Sequence, residues 1–485
     1  MSSLKIKKKV FLIKSYPKER MNWFNIYYHP IKGGLPMEKL FGTFGIRRIV
    51  NEVLTPDFAL KLAYSFGTYV NQETVVVGRD ARKHSEMIYD AVISGLLACG
   101  CQVIELGLTA TPTLQWACRQ WGAWGAMITA SHNPPQWNGI KFMEKTGKGL
   151  DREKDVEVEK IFYSEKYHLV PWNDVPQKTI KRDINDDYIR AIEAKVNLPL
   201  IQQSRFRVVV DCANGAPCLI TPQLLSDLGC RVVSLNAHPD GRFPGRNPEP
   251  TPDNLTDLLT LITHASFHIG FAQDGDGDRL IVIRPNGEFV PGDYSVSLVA
   301  NELAQQNIPG PIVTTVATSS MLSDIAKKTG RGFIATAVGD LVVAKALQES
   351  QGIFGCEENG GMIFPDFVWG RDGAIAAARI LHIMATKEKS LDDLLQELPQ
   401  YFQIKMKKTV NPEKKEKILN EIDRLTAKEK NRVTIDGYKV TYPDGSWLLI
   451  RPSGTEPLLR IFAESQEKQR AEAIVQKYLD IINSI

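Results

Sequence analysis

The chain has 485 residues, a formal net charge of +3, 43% hydrophobic and 24% charged residues. That length suits about three or four domains of an ordinary globular protein, and the near-even charge excludes the concentrated basic surface of a nucleic-acid binder. No apolar stretch reaches the ~20 residues of a membrane helix, and seven scattered cysteines without a CxxC pair predict a reducing, cytoplasmic setting with no disulfide framework.

Residues 1–36 mix basic, aromatic and proline residues without a steady period. They read as an extension outside the fold, with Met37 as the alternative natural start. From Leu40 the chain turns through Gly42 and Gly45 into Arg47 and Arg48. Thr55-Pro56-Asp57 opens a helix, with proline at its first position and an acid in its first turn. Strands are predicted over 74–77, 102–106 and 124–128, with helices over 84–98 and from Pro112. This alternation is that of a doubly wound α/β unit, in which ligands collect at the carboxyl ends of strands. The third strand ends in Thr129-Ala130-Ser131-His132-Asn133-Pro134-Pro135, which delivers a hydroxyl, an imidazole and an amide to one turn. The prolines fix φ and push Asn133 away from the helical region.

The pattern restarts after a polar stretch at 165–185. Strands are predicted over 207–211, 231–235, 268–271 and 280–283, with helices from about Pro217 and from Thr251-Pro252-Asp253. A third unit places strands at 312–316 and 333–337 and helices at 319–328 and 340–349. A hairpin around Asn359-Gly360 and a helix over 371–386 complete it. The last part combines a charged helix over 413–425, strands within 432–463 and a closing helix. The expected fold is α/β: three similar mixed α/β domains plus a smaller C-terminal α+β domain around a central cleft. Expected boundaries are 37–180, 181–290, 291–400 and 401–485.

Four loops carry chemistry. Asp274, Asp276 and Asp278 alternate with glycine. Three carboxylates so close repel one another unless a cation sits between them, and hard oxygen ligands suit Mg²⁺. An EF-hand is excluded because position twelve counted from Asp274 is Pro285. Arg451, Ser453, Gly454 and Thr455 combine a guanidinium fork, two hydroxyls and free backbone N–H groups, a set suited to a dianionic phosphate. Arg460 lies one short strand further on. Glu357 and Asn359 sit on the predicted hairpin turn, where the plain alternative is an ordinary Asn-Gly turn beside a solvated acid. Arg47, Lys141 and Arg279 are cations beside these loops, surface charges on their own but stabilisers of transferring charge beside a phosphate.

With those residues in order, residues 38–485 resemble the α-D-phosphohexomutase superfamily. The markers are Gly-Thr-x-Gly-Ile-Arg (42–47), Thr-Ala-Ser-His-Asn-Pro-Pro (129–135), Asp-Gly-Asp-Gly-Asp-Arg (274–279), Glu-Glu-Asn-Gly-Gly (357–361) and Arg-Pro-Ser-Gly-Thr-Glu-Pro (451–457). The chain looks most similar to the microbial phosphoglucosamine mutase and phosphomannomutase/phosphoglucomutase branch. The resemblance implies a phosphosugar mutase that interconverts hexose 6-phosphate and hexose 1-phosphate through a phosphoserine and a bound 1,6-bisphosphate. Ser131 would carry the phosphoryl group. Asp274, Asp276, Asp278 and a Ser131 phosphate oxygen would hold Mg²⁺. Arg47, His132, Lys141 and Arg279 would act at the reacting centre. Glu357 and Asn359 would hold sugar hydroxyls; Arg451, Ser453, Gly454 and Thr455 would hold the other phosphate.

The expected reaction is that of glucosamine phosphate, with mannose or glucose phosphate as the alternative. A Mg²⁺-dependent phosphatase using the same serine is a more remote alternative, and an inactive sugar-phosphate sensor is a third class that the intact serine and triad argue against. The partner is a phosphorylated hexose, with no nucleic acid and no membrane, on a monomer or homo-oligomer. One departure from the family stands out. Many relatives have Ser-Gly-His in the sugar loop, where this chain has Asn359-Gly360-Gly361. Gly361 moves no proton, which leaves His132 or Lys141 for that task.

Overall fold

The computed structural model describes residues 39–452 and 458–485. The expected extension at 1–36 lies outside them, as do Ser453, Gly454 and Thr455. The described chain forms four sheets. The first runs Ile46–Ile49, Trp137–Met143, Trp124–Ile128, Thr74–Arg79, Gln102–Leu108, Thr179–Ile180. The second runs Phe289–Val290, Leu280–Ile283, Ile269–Gln273, Arg207–Asp211, Arg231–Leu235. The third runs Phe333–Thr336, Ile312–Thr315, Phe354–Cys356, Met362–Ile363. The fourth is antiparallel throughout: Phe402–Thr409, Leu458–Ser465, Trp447–Pro452, Tyr438–Thr441, Arg432–Val433. Three α/β/α domains are therefore followed by an antiparallel-sheet domain.

The first three sheets repeat one device. In each, a strand that runs parallel to its inner neighbour ends, turns and returns antiparallel to itself. Trp124–Ile128 returns as Trp137–Met143. Ile269–Gln273 returns as Leu280–Ile283, and Phe354–Cys356 returns as Met362–Ile363. The loops of Ser131, of the three aspartates and of Glu357-Asn359 (the expected sugar loop) are those three turns. Each lies at the carboxyl end of a strand that runs parallel to its inner neighbour, the position at which ligands collect in such sheets.

Local chemistry explains where helices begin and where expectation slipped. The Thr55 side chain accepts from Phe58 N–H and Pro56 occupies the first turn, so the helix Pro56–Val70 starts as expected. The helix expected from Pro217 is a short 3₁₀ turn, Ala216–Leu219, before Thr221–Asp227. The signal at Thr251 gives only the turn Pro252–Asn254, and the helix itself starts at Thr256. Proline fits a first turn equally well whether or not the helix continues. The eight-residue strand Phe402–Thr409 was not anticipated, because its lysines mask a weak alternation. It is a sheet edge, where lysines deter pairing with other chains.

The second and third sheets share one continuous hydrophobic core that includes Val208, Phe271, Val296, Phe354 and Ile375. The fourth sheet packs its own core, with Ile450, Ile461 and Ile474. A small apolar cluster of Val316, Ala317, Trp447, Leu449 and Phe462 joins it to the third. No described helix is long and apolar enough to cross a membrane.

Candidate active site

Ser131 is fully buried and holds a left-handed backbone, φ 51°. An L-residue pays roughly 1–2 kcal/mol for that conformation, so the loop must be held from outside. Arg82 holds it. Its Nη2 donates to the carbonyls of Ser131 (2.8 Å) and Asn133 (2.7 Å), and its Nη1 to those of Pro134 (2.8 Å) and Trp137 (3.0 Å). Asp80, also fully buried, orients Arg82 through Nε at 3.1 Å. Asp80 further accepts from the hydroxyls of Ser85 and Thr129. Thr129 Oγ1 in turn accepts from Ser131 N–H at 2.9 Å. The carboxylate that closes the Gly78-Arg79-Asp80 strand is thus the anchor of the serine turn.

Ser131 Oγ donates to Asp274 Oδ2 at 2.7 Å and lies 3.2 Å from His132 Nδ1. Gly275 permits this approach, since a Cβ there would sit 2.7 Å from the Ser131 carbonyl oxygen. Asp274, Asp276 and Asp278 are buried, and their ligand oxygens lie within 4.8 Å of one another. Lys141, fully buried, donates to Asp276 Oδ2 at 2.7 Å, and Thr111 Oγ1 donates to the same oxygen at 2.6 Å. Arg371 Nη2 donates to Asp278 Oδ2 at 2.6 Å. Asp276 Oδ1 and Asp278 Oδ1 are buried with no hydrogen-bond partner. A buried carboxylate oxygen without a partner is costly, and a divalent cation satisfies it. The donor set is all oxygen, which fits Mg²⁺.

The electrostatics match. Burial and the neighbouring carboxylates of Asp278 and Asp276 push Asp274 up to about 8. Burial would raise Asp276 too, but Lys141 overrides it and holds that carboxyl well below the usual range. Burial and the cations Arg279, Arg47 and Arg371 hold His132 well below its ordinary value, so its ring is neutral at pH 7. Arg47 Nη1 donates to Asn133 Oδ1 at 3.0 Å, which places it on the serine loop. Arg279 donates its N–H to Asp274 Oδ1 at 3.2 Å, and its guanidinium approaches Asp278 and Glu249.

Glu357 is not a solvated turn residue. It is 3% exposed, accepts from Arg371 Nη1 at 2.6 Å, and burial pushes it up to about 7. Asn359 Oδ1 accepts from Gly361 N–H at 3.0 Å and closes the hairpin, with Gly360 left-handed at φ 84°. A β-bridge between Arg279 and Gly361 joins the sugar loop to the metal loop.

On the fourth sheet Arg451 lies directly across from Arg460, and Arg460 across from Lys407. Directly opposed residues share a face, and like charges so placed destabilise a sheet. An anion on that face would offset the cost. Arg451 Nε meets Asp436 Oδ2 at 2.9 Å. Ser453, Gly454 and Thr455, which follow Pro452 in the sequence, lie outside the described residues.

The structure brings Ser131, His132, Lys141, Arg47, Arg279 and the three aspartates together, with Glu357 joined to them through Arg371. Sequence reasoning missed Asp80, Arg82, Thr111, Arg371 and Lys407. The Gly-Arg-Asp ending at 78–80 was a visible signal for the first two; nothing local marked the others.

Comparison with known proteins follows the same lines. Residues 38–168, 186–287 and 291–402 match phosphoglucomutase/phosphomannomutase alpha/beta/alpha domains I, II and III, and residues 406–481 match the C-terminal domain of the same proteins. A phosphoglucomutase/phosphomannomutase of Thermococcus kodakarensis is 48% identical, over 92% of this chain and 98% of that protein. A protein of Methanopyrus kandleri described as a probable phosphoglucosamine mutase is 38% identical, over 92% and 98% respectively. The crystal structure of a phosphoglucomutase/phosphomannomutase family protein from Burkholderia thailandensis superposes with a TM-score of 0.80 at 27% identity. It covers 92% of this chain and 96% of that one.

Proposed function

Because the chain belongs to the phosphoglucomutase/phosphomannomutase family within the α-D-phosphohexomutase superfamily, we propose that it interconverts the 1- and 6-phosphates of glucose and mannose, with Ser131 as phosphoryl carrier. The chain is a phosphohexomutase, an isomerase of carbohydrate metabolism. The sugar expected from sequence alone was glucosamine phosphate. The 48% identity to the Thermococcus kodakarensis enzyme, against 38% for the glucosamine-type relative, favours glucose and mannose instead.

The observation that carries the mechanism is the 2.7 Å bond between Ser131 Oγ and Asp274 inside the carboxylate cluster. In the reading we favour, phospho-Ser131 gives its phosphoryl group to the free hydroxyl of a hexose monophosphate. The O–P bond to serine breaks as the new one forms. The hydroxyl proton passes to neutral His132, 3.2 Å from Ser131 Oγ. Lys141 is the weaker candidate for that proton, because it is engaged with Asp276. The bound 1,6-bisphosphate then returns its other phosphoryl group to Ser131, and the isomeric monophosphate leaves. Phosphoserine carries about −1.5 to −2 charge, which Arg47, Arg279 and Lys141 oppose. Mg²⁺ on Asp274, Asp276, Asp278 and a phosphoserine oxygen would supply the remaining neutralisation. Glu357 and Asn359 would take sugar hydroxyls; Arg451 and Arg460, with Ser453, Gly454 and Thr455, would hold the phosphate that is not reacting.

The test compares glucose, mannose and glucosamine 1-phosphates side by side with wild type and Ser131→Ala. Glucose and mannose phosphates should turn over at least about tenfold faster, in kcat/KM, than glucosamine phosphate. The reverse ranking would return the reading to glucosamine. Ser131→Ala should lose on the order of 10⁴-fold or more. Stoichiometric release of inorganic phosphate by wild type would instead identify a phosphatase.

A further inference from the structure

We propose that Arg371 is a positioning residue that ties the metal loop to the sugar loop, and that position 361 must be glycine to make room for it. This rests on the mutase reading above and goes beyond it.

Arg371 stands between the aspartate loop and the Glu357 loop. It is 6% exposed. Its two terminal nitrogens go to different loops: Nη2 to Asp278 of the carboxylate cluster and Nη1 to Glu357 of the sugar loop, both at 2.6 Å. Asp340 Oδ2 lies 3.6 Å from Nη2. One guanidinium thus faces three acids from three separate segments. The planar fork of arginine holds two carboxylates in one fixed plane; the ammonium of lysine can reach two carboxylates, as Lys181 reaches Asp183 and Asp187, but on a flexible stem that fixes no plane. Arg371 also leaves Asp278 Oδ1 without a hydrogen bond, the oxygen that a cation would take. It therefore sets which carboxylate oxygen faces the metal and, through the same plane, where Glu357 points.

The backbone fixes Arg371 in turn. Asp372, the next residue, caps the helix Gly373–Lys387 by accepting from Ala374 and Ile375 N–H. The Tyr188 hydroxyl donates to Asp372 at 2.6 Å. Gly373 N–H donates to the Gly277 carbonyl at 3.1 Å, so the segment 371–373 is docked on the metal loop by main chain as well as side chain. A β-bridge from Ile363 to Arg371 adds the returning strand of the sugar hairpin.

Gly361 completes the device. Its φ is not left-handed, so the backbone does not demand glycine there. The space does, because a Cβ on residue 361 would run into Arg371 Cδ. Any side chain at 361 and the arginine at 371 compete for one volume.

The experiment uses the full chain. Mg²⁺ binding is measured by calorimetry without sugar, and KM and kcat are measured with hexose phosphate, for Arg371→Lys, Arg371→Ala, Gly361→Ala, Gly361→His and the double variant Gly361→His/Arg371→Ala. Arg371→Lys keeps the charge, and should weaken Mg²⁺ binding and raise KM, each by about tenfold. Gly361→Ala keeps the arginine but displaces it, and should shift the same two quantities together. In the double variant the losses should not multiply: it should match Arg371→Ala alone, at least about tenfold better than the product of the single losses. Unchanged Mg²⁺ affinity and KM in Arg371→Lys would overturn the proposal, and so would independent, multiplying losses. If Arg371→Ala fails to fold, Gly361→Ala decides, since it retains every charge. The calorimetric arm needs no turnover, so a chain inactive on every hexose phosphate would sink the mutase reading while still testing the tie. A wild type that binds no Mg²⁺ would sink both.

Discussion

Around Ser131, opposite charges are paired out of water: Arg82 with Asp80, Lys141 with Asp276, Arg371 with Asp278 and Glu357. On the fourth sheet, Arg451, Arg460 and Lys407 stand in register across neighbouring strands, like charge against like, half-buried or exposed. The reacting centre is anchored before any ligand arrives. Its loops come from three sheets, two of which share a core, and phosphoryl transfer gains most from donors that need not reorganise. Of the far cations Arg451 is paired with Asp436, yet the row of three keeps an excess of positive charge. Their mutual repulsion is a modest cost that a phosphate would offset on binding. The fourth sheet joins the third through five apolar residues and a few polar contacts. These include Lys439 to the Val316 carbonyl and Trp447 to Ser320. The bisphosphate reorientation proposed above would draw on a domain attached by so few contacts and on a row of cations that a phosphate can join.

The largest effect should come from breaking the anchored side. Asp276→Asn removes a cluster oxygen and the partner of buried Lys141, and should lower kcat/KM by on the order of 10²–10³-fold. Chelating divalent cations from wild type should silence it reversibly, with Mg²⁺ restoring activity; full activity in excess chelator would refute the metal assignment. A smaller and different loss is expected at the far side. Arg451→Gln should raise KM by about 10- to 100-fold with little change in kcat or denaturation midpoint. If kcat falls instead and KM holds, the arginine serves the reaction rather than the distant phosphate.

The smallest effect concerns the attachment itself. Burial pushes the Lys439 ammonium from 10.5 down to about 8. Between those values the unfolded chain holds a proton that the folded chain lacks, so this residue makes stability rise with pH across that window and adds no slope below it. The midpoint difference between wild type and Lys439→Met should therefore change progressively from about pH 8 to 10.5. A difference independent of pH would mean that Lys439 keeps its ordinary proton affinity.

How much was legible beforehand divides along the same line. Ser131, the Asp274-Asp276-Asp278 alternation and the Asn359-Gly360 hairpin sit on single turns, and a turn states its chemistry in consecutive residues. Two of the three strand-turn-strand returns, those around the aspartates and around Asn359-Gly360, were legible as apolar runs punctuated by glycine; the return Trp137–Met143 after the serine turn was not anticipated. Glu357 was legible as a site residue only through the family resemblance, because an acid beside an Asn-Gly turn is ordinarily solvated; its burial follows from Arg371, fourteen positions later. Strand Phe402–Thr409 was missed, so Lys407 could not be placed opposite Arg460.

The sequence by itself determined the reacting groups, their order along the chain and the α/β alternation, because hydroxyl, carboxylate and guanidinium chemistry and hydrophobic period are local properties. Only the tertiary structure decided which groups meet. Ser131 and Asp274 are 143 residues apart in sequence, Lys141 and Asp276 135, Arg371 and Asp278 93. Contacts at those separations depend on how sheets pack, and a packed interior selects partners by volume as much as by charge, as the room at Gly361 for Arg371 illustrates.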